Sequence, residues 1–262
     1  MKPAPFDLVR PSGLSEAVTM LAQGGAEARI LAGGQSLGPM LNLRIAQPRL
    51  LVQVNHLPDL AGVDETPDAI VLGACVTHAA IAAGRAPDLA GGLLARVAGG
   101  IAYQAVRNRG TIGGSLCHAD PAADWVVVLT ALDAEAILRS ASGTRRVPVA
   151  GFITGAYATA LAAGEILTAV RIPLPPLAAR WGYMKTSRKP GDFAHAMAAV
   201  QVTGPTRRLV IGAIGGRPLL LTGEQASLEG AQTALATLDA VDRHMQLAVV
   251  RRALQQACSC SA

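Results

Sequence analysis

Short apolar runs that stop at paired glycines or at proline set the limits on what this chain can fold into. Ala28-Arg29-Ile30-Leu31 is broken by Gly33-Gly34, residues 50–54 are bounded by Pro48 and Pro58, and residues 69–73 form a third run. Runs this short, rich in Val, Ile and Leu, read as strands. Between them lie stretches with helical spacing. Residues 12–24 offer N-cap chemistry at Ser12 and Gly13, an acid in the first turn at Glu16, and Leu14, Val18 and Leu21 on one face, with Gly24-Gly25 as a stop. Strands alternating with helices predict an α/β domain.

The pattern continues along the chain. Residues 77–106 read as helix in pieces, and residues 107–120 as a polar, glycine-bearing connection. Residues 125–132 read as a helix, with Asp120 before Pro121 as its natural cap. Residues 135–139 and 145–149 should pair around Ser142-Gly143, and the strand over 165–172 should stop at Pro173. Pro173-Leu174-Pro175-Pro176 is the clearest linker. Beyond it, residues 183–187, 196–203 and 209–214 are strand-like, and residues 240–257 form an amphipathic helix with Met245, Val249, Ala253 and Leu254 on one side. The C-terminal part reads as short, with little between Leu228 and Arg243.

Composition narrows the function classes. Hydrophobic residues make up 51% and charged residues 16% of 262, enough for a large core and too few charges for a disordered chain. The net charge of +5 is spread out, and its densest cluster is only Arg145-Arg146, so no basic run interleaved with aromatics marks a nucleic-acid partner. The longest apolar runs are too short, and too interrupted by Gly or polar residues, to span a membrane. Met1 to Phe6 lacks the apolar region of a signal peptide, which leads us to expect a cytoplasmic protein. Cys75, Cys117, Cys258 and Cys260 contain no C-x-x-C pair, arguing against a zinc or iron–sulfur site built by this chain alone, and no disulfide is expected.

Two segments carry candidate binding chemistry. Leu31-Ala32-Gly33-Gly34-Gln35-Ser36-Leu37 follows a strand and opens toward a helix. Paired glycines permit positive φ and close backbone approach, and the N–H groups of such a turn, with Ser36 and Gln35 beside them, can cradle a pyrophosphate. Arg109-Gly110-Thr111-Ile112-Gly113-Gly114-Ser115 repeats the theme. Locally, either could be a plain turn; together they suggest two ends of one long phosphate-bearing ligand. Neither is a Rossmann fingerprint or a P-loop. Cys117-His118-Ala119-Asp120-Pro121-Ala122-Ala123-Asp124 gathers thiol, imidazole and carboxylates without a familiar ligand spacing, so no metal site is expected. His56, His78, His195 and His244 are isolated, with surface or capping roles as the default.

Ala32-Gly33-Gly34-Gln35-Ser36-Leu37 and Thr111-Ile112-Gly113-Gly114-Ser115 resemble the two flavin-binding signatures of the FAD-binding medium subunits of the xanthine dehydrogenase and carbon monoxide dehydrogenase family of molybdenum hydroxylases. The resemblance runs from Phe6 and Pro11 through Asp120-Pro121-Ala122-Ala123-Asp124, Gly164-Glu165-Ile166-Leu167, Lys185 and Gly191-Asp192-Phe193-Ala194 to Val250-Arg251-Arg252-Ala253-Leu254.

That resemblance implies a fold and a set of roles. The fold is α/β (α+β): a two-subdomain FAD-binding unit of the PCMH (vanillyl-alcohol oxidase-like) type over residues 1–175, with subdomains of about 1–55 and 56–175, then a small C-terminal α+β domain of the CO dehydrogenase flavoprotein type over 176–262. Residues 31–37 would wrap the FAD pyrophosphate, and residues 111–115 the phosphates and ribityl chain from the other side. Asp124 would contact the ribose or adenosine end, Leu167 would line the adenine site, and Lys185 would reach the flavin ring, where a cation stabilises the reduced anion. Phe193 stands where relatives carry tyrosine near the flavin. This chain would take electrons from [2Fe–2S] clusters of a small subunit and pass them from FAD to an external acceptor. Substrate would be oxidised at the molybdenum–pterin of a large subunit, in a dimer of heterotrimers. No catalytic residue is expected in this chain, and no cysteine-bearing insertion suggests the extra [4Fe–4S] cluster of some relatives. A stand-alone flavin oxidoreductase, or a scaffold that has lost FAD, are the competing readings. The first of these lacks a visible acid–base pair.

Overall fold

The computed structural model describes residues 2–87, 91–176 and 178–259. Its N-terminal part runs β1 (Asp7–Val9), α1 (Leu14–Gly24), β2 (Ala28–Leu31), α2 (Leu37–Asn42) and β3 (Leu50–Gln53). β3 lies in the middle, parallel to both neighbours, in the order β1–β3–β2. Parallel neighbours need a crossover connection, and the stretch holding α2 supplies it between β2 and β3. The apolar face read along α1 is buried: Ala17, Val18 and Leu21 pack with Val52 and Val54. The start of α1 is fastened in the reverse sense to the usual cap. Glu16 accepts from both the N–H and the hydroxyl of Ser12, while Gly13 at the N-cap makes no side-chain bond.

The middle part contains β4 (Val63–Glu65), β5 (Ala69–Gly73), α3 (His78–Ala82), α4 (Leu93–Gly99), α5 (Gln104–Arg107), α6 (Ile112–His118), α7 (Asp124–Ala131), β6 (Glu135–Ser140), β7 (Gly143–Pro148), α8 (Val149–Phe152), β8 (Ile153–Gly155), β9 (Ala158–Thr159) and β10 (Ile166–Pro173). Its main sheet is antiparallel in the order β4–β5–β10–β6–β7, and β8 and β9 form a separate hairpin. The residues of α7 are buried along its whole length. That fits a helix apolar on every side.

Three sequence expectations need correction here. The connection expected over 107–120 holds a helix, α6. Its cap is Thr111, whose hydroxyl accepts from the Gly114 N–H, and its glycines serve packing. A Cβ on Gly113 would lie 2.5 Å from the Cβ of Ala74. Asp120, in turn, does not cap α7. It closes its own turn by accepting from the Ala122 N–H, and α7 begins at Asp124 with no side-chain cap. β10 also runs one residue further than expected, ending on Pro173 itself.

The C-terminal part is a meander of β11 (Arg180–Thr186), β12 (Ala196–Thr203), β13 (Thr206–Gly212) and β14 (Leu219–Thr222), followed by α9 (Leu228–Ala234) and α10 (Ala240–Ser259). β14 and α9 occupy ground that the sequence left blank. Alternation explains why β12 reads as an unbroken apolar run. Ala196, Ala198, Val200 and Val202 pack with Val249, Val250 and Ala253 of α10, while Met197 and Ala199 join the core around α7. Two glycines mark the close approaches on these opposite faces. A Cβ on Gly182 would lie 1.8 Å from the Ala253 carbonyl, and one on Gly212 2.2 Å from Val127 Cγ2. On α10 the core face is Val249, Val250, Ala253 and Ala257, while Met245 and Leu254 are only half-buried.

Candidate functional site

A cleft of about 1350 Å³ lies where the parallel sheet meets the antiparallel one, and the 191–193 segment of the C-terminal part borders it. Pockets for drug-sized ligands occupy roughly 300–1000 Å³. This one has room for something larger.

The segment after β2 forms one wall. All of Leu31, Ala32, Gly33, Gly34, Gln35, Ser36 and Leu37 line the cleft. Gly34 takes φ +71°, a left-handed turn that glycine adopts without strain. The N–H groups of Gly33, Gly34, Gln35, Ser36 and Leu37 donate to nothing among the described residues, and the Ser36 hydroxyl is equally free. Successive unpaired N–H groups in a turn make an anion-binding concavity. Gly33 has a different duty. A Cβ there would lie 2.0 Å from the Arg109 carbonyl oxygen, so this glycine lets the two Gly-rich segments pack against each other.

The second segment presents less than its sequence suggests. Thr111, Gly113, Gly114 and Ser115 border the cleft, but Ile112 is buried in the core. Most of its backbone is committed to the protein: Ile112 N–H donates to Val76 O, Gly113 N–H to Ala74 O, Gly114 N–H to the Thr111 hydroxyl and Ser115 N–H to Thr111 O. The Ser115 hydroxyl has no partner among the described residues and is what this wall offers a ligand.

Asp124 and Leu167 border the cleft, and Lys185 does not. Asp124 accepts from the Tyr183 hydroxyl and pairs with Lys185, with Nζ and Oδ1 2.7 Å apart. Lys185 also donates to the Gly100 carbonyl at 3.0 Å. Burial and the Asp124 carboxylate push the Tyr183 phenol well above its ordinary range.

Further groups line the cleft. Tyr157, at φ +56° between β8 and β9, donates to Asp120 at 3.2 Å and stacks obliquely on His118. The Asp120 carboxylate raises its phenol. The Ala102 N–H donates to Gly191 O at 3.0 Å and fastens the 191–193 segment to the cleft. Phe193, 60% exposed, stands on that segment. His78 also lines the cleft, and burial with the nearby Arg107 charge lowers it to about 4.

Three carboxylates of the cleft are engaged by the protein, while the Asp192 carboxylate and the His118 ring have no hydrogen-bond partner among the described residues. Asp120, Asp124 and Glu165 each already accept hydrogen bonds from the protein. Cys75, pushed up to about 11 by burial, is a thiol at neutral pH. Cys117, exposed on the cleft, is pushed up as well, by desolvation and then by the nearby Cys75. Thiols are poor nucleophiles. Cys75, Cys117 and Cys258 are unbridged, and Cys260 lies outside the described residues. Among the described residues no group of three His, Cys, Asp or Glu could hold a metal ion, and no helix is long and apolar enough to cross a membrane.

An FAD fits these features. Its pyrophosphate suits five free N–H groups and two free hydroxyls, and its size suits the volume of the cleft. Comparison with known proteins points the same way. The family described as "FAD binding domain in molybdopterin dehydrogenase" matches residues 4–175. The carbon monoxide dehydrogenase medium chain of Hydrogenophaga pseudoflava is 39% identical over 200 residues, 76% of this chain and 70% of that one. The 6-hydroxypseudooxynicotine dehydrogenase complex subunit alpha of Paenarthrobacter nicotinovorans is 37% identical over 230 residues, 86% of this chain and 78% of that one. Among solved structures, a chain of the Hydrogenophaga pseudoflava carbon monoxide dehydrogenase superposes with a TM-score of 0.91 at 33% identity, covering all of both chains. A chain of quinoline 2-oxidoreductase from Pseudomonas putida 86 superposes with 0.84 at 32% identity, covering 98% of each.

Proposed function

Because this chain belongs to the FAD-binding family of the molybdopterin dehydrogenases, as a medium subunit of the carbon monoxide dehydrogenase kind, we propose that it holds FAD in the cleft and relays electrons there. The observation that carries the reading is the row of unpaired N–H groups from Gly33 to Leu37 on the cleft wall. These donors hold the pyrophosphate, with the Ser36 and Ser115 hydroxyls on either side. Thr111, Gly113 and Gly114 shape the opposing wall, and Ile112 anchors it from the core. Asp124 and Leu167 serve the adenosine end. Lys185 acts through Asp124, whose carboxylate it neutralises and fixes.

Bound FAD supplies two-electron redox chemistry. The chain's own work is to bind it, orient it and limit water around it. We assign residues 1–175 to the FAD-binding unit and 176–262 to a C-terminal domain. The electrons come from [2Fe–2S] clusters of a small partner subunit and leave to an external acceptor. A large partner subunit with molybdenum–pterin oxidises the substrate, within a dimer of heterotrimers in the cytoplasm. The internal pairing of Asp120, Asp124 and Glu165 on the cleft wall supports this division of labour.

The test is the absorption spectrum of the natively purified chain, with the released cofactor identified after denaturation. Near-stoichiometric FAD supports the reading. A colourless chain that takes up no FAD on incubation overturns it.

A further inference from the structure

His78 opens α3, and its own N–H donates to the Gly110 carbonyl at 2.9 Å, which seats the ring beside the second Gly-rich segment. Its Nδ1 receives the indole N–H of Trp125 at 3.1 Å. An indole N–H only donates, so Nδ1 must present its lone pair. The ring is buried, with the Arg107 cation nearby, and stays neutral well below pH 7. A neutral imidazole whose Nδ1 accepts carries its proton on Nε2. The tautomer is therefore set by Trp125.

The Nε2 edge faces the other way. A Cβ on Gly110 would lie 2.9 Å from His78 Cδ2 and 3.1 Å from Nε2, so only a residue without a side chain leaves that edge open. His78 and Gly110 both line the cleft, next to Gly33, whose own missing Cβ would meet Gly110 Cα at 2.9 Å. Nε2 has no hydrogen-bond acceptor among the described residues. The protein thus spends a buried Trp–His bond to fix a donor that it does not use itself.

We propose that His78 is a cofactor-binding residue, donating from Nε2 to an oxygen of FAD where the two Gly-rich segments meet. The inference rests on the cleft being the FAD site. It adds a side-chain donor on the wall where the N–H groups of Ile112, Gly113, Gly114 and Ser115 are already consumed. A phosphate oxygen and a ribityl hydroxyl share the required acceptor chemistry.

The test uses the full chain labelled with ¹⁵N-histidine, titrated with FAD while binding is followed independently by flavin fluorescence. The apoprotein should show His78 as the Nε2–H tautomer, and saturating FAD should shift that N–H signal. Scalar coupling of the shifted nitrogen to ³¹P identifies a phosphate acceptor, and a shift without coupling identifies the ribityl chain. His78→Phe should weaken FAD binding about 5- to 10-fold, the loss of one ordinary hydrogen bond. His78→Gln, whose amide can accept from Trp125 and still donate, should restore most of it even where His78→Phe folds poorly. FAD that binds without moving the His78 signal overturns this inference and leaves the cofactor site standing. A chain that binds no FAD overturns both.

Discussion

Lys185 Nζ lies 2.7 Å from Asp124 Oδ1, with the two side chains only 15% and 7% exposed. The pair joins β11 of the C-terminal sheet to the first turn of α7, and the Gly100 carbonyl takes a second proton of the same ammonium. Removing one partner of a buried ion pair leaves the other charge uncompensated, at a cost of about 3–5 kcal/mol. Lys185→Met should therefore lower the melting temperature of the apoprotein, by roughly 10 °C for a chain of this size. Differential scanning calorimetry without FAD reads this directly. An apoprotein that melts like the parent, combined with a shifted flavin potential, would instead place the ammonium on the ring.

Glycine 33 predicts a different kind of failure from glycine 38. A Cβ at Gly33 collides with the Arg109 carbonyl, whereas one at Gly38 meets nothing within 4 Å. Gly33→Val should pry the two Gly-rich segments apart, lowering both apoprotein stability and FAD retention. Gly38→Ala, inside α2, should keep FAD and gain about 0.5–1 kcal/mol from helix propensity. Urea unfolding of both apoproteins separates the cases. A Gly33→Val chain with parental stability would mean that its glycine serves only the ligand.

Much of this architecture was legible in short-range patterns. The strands at 28–31 and 69–73, the hairpin around Ser142-Gly143 and the C-terminal helix all follow from apolar runs and turn residues. What misled was glycine. Gly113 and Gly114 read as loop residues, but helix α6 needs them because Ala74 and Thr111 crowd their Cα positions. The site shows the same limit. Residues 31–37 were legible as a cleft-lining turn because that turn carries its own donors. His78 was not, because its meaning comes from Trp125, 47 residues away, and from the open edge at Gly110. The pairing of Lys185 with Asp124, 61 positions away in sequence, likewise left no sign in short-range patterns.

The two free hydroxyls give a direct measure of phosphate recognition. Ser36 and Ser115 line the cleft without protein partners, so replacing either with alanine leaves no buried group stranded. Hydrogen bonds to a charged group contribute about 1.5–3 kcal/mol. Each single alanine variant should weaken FAD binding at least tenfold while the apoprotein melts normally. Fluorescence titration with FAD and with riboflavin should show the loss for FAD alone. Equal losses for both ligands would move the hydroxyls away from the phosphates.

His78 should also leave a mark on stability against pH. Its folded value is lowered from 6.5 to about 4, first by burial and then by Arg107. Between those values the unfolded chain binds a proton that the folded one refuses, so stability rises with pH across the window. Acidifying from pH 7 should cost stability progressively below about 6.5 and level off, for this group, near 4. The full difference is on the order of 3 kcal/mol. Glu165, held down by Arg145, and Asp68, held down by Thr66, add their own losses only when the pH falls into the carboxylate range. The two windows can therefore be told apart by urea unfolding of the apoprotein at pH 7, 5.5 and 4.5. In His78→Gln the loss between pH 7 and 5.5 should shrink markedly, while that below 4.5 persists. An unchanged profile in that variant would mean the imidazole accepts its proton inside the fold, and with it that Nδ1 is not committed to Trp125.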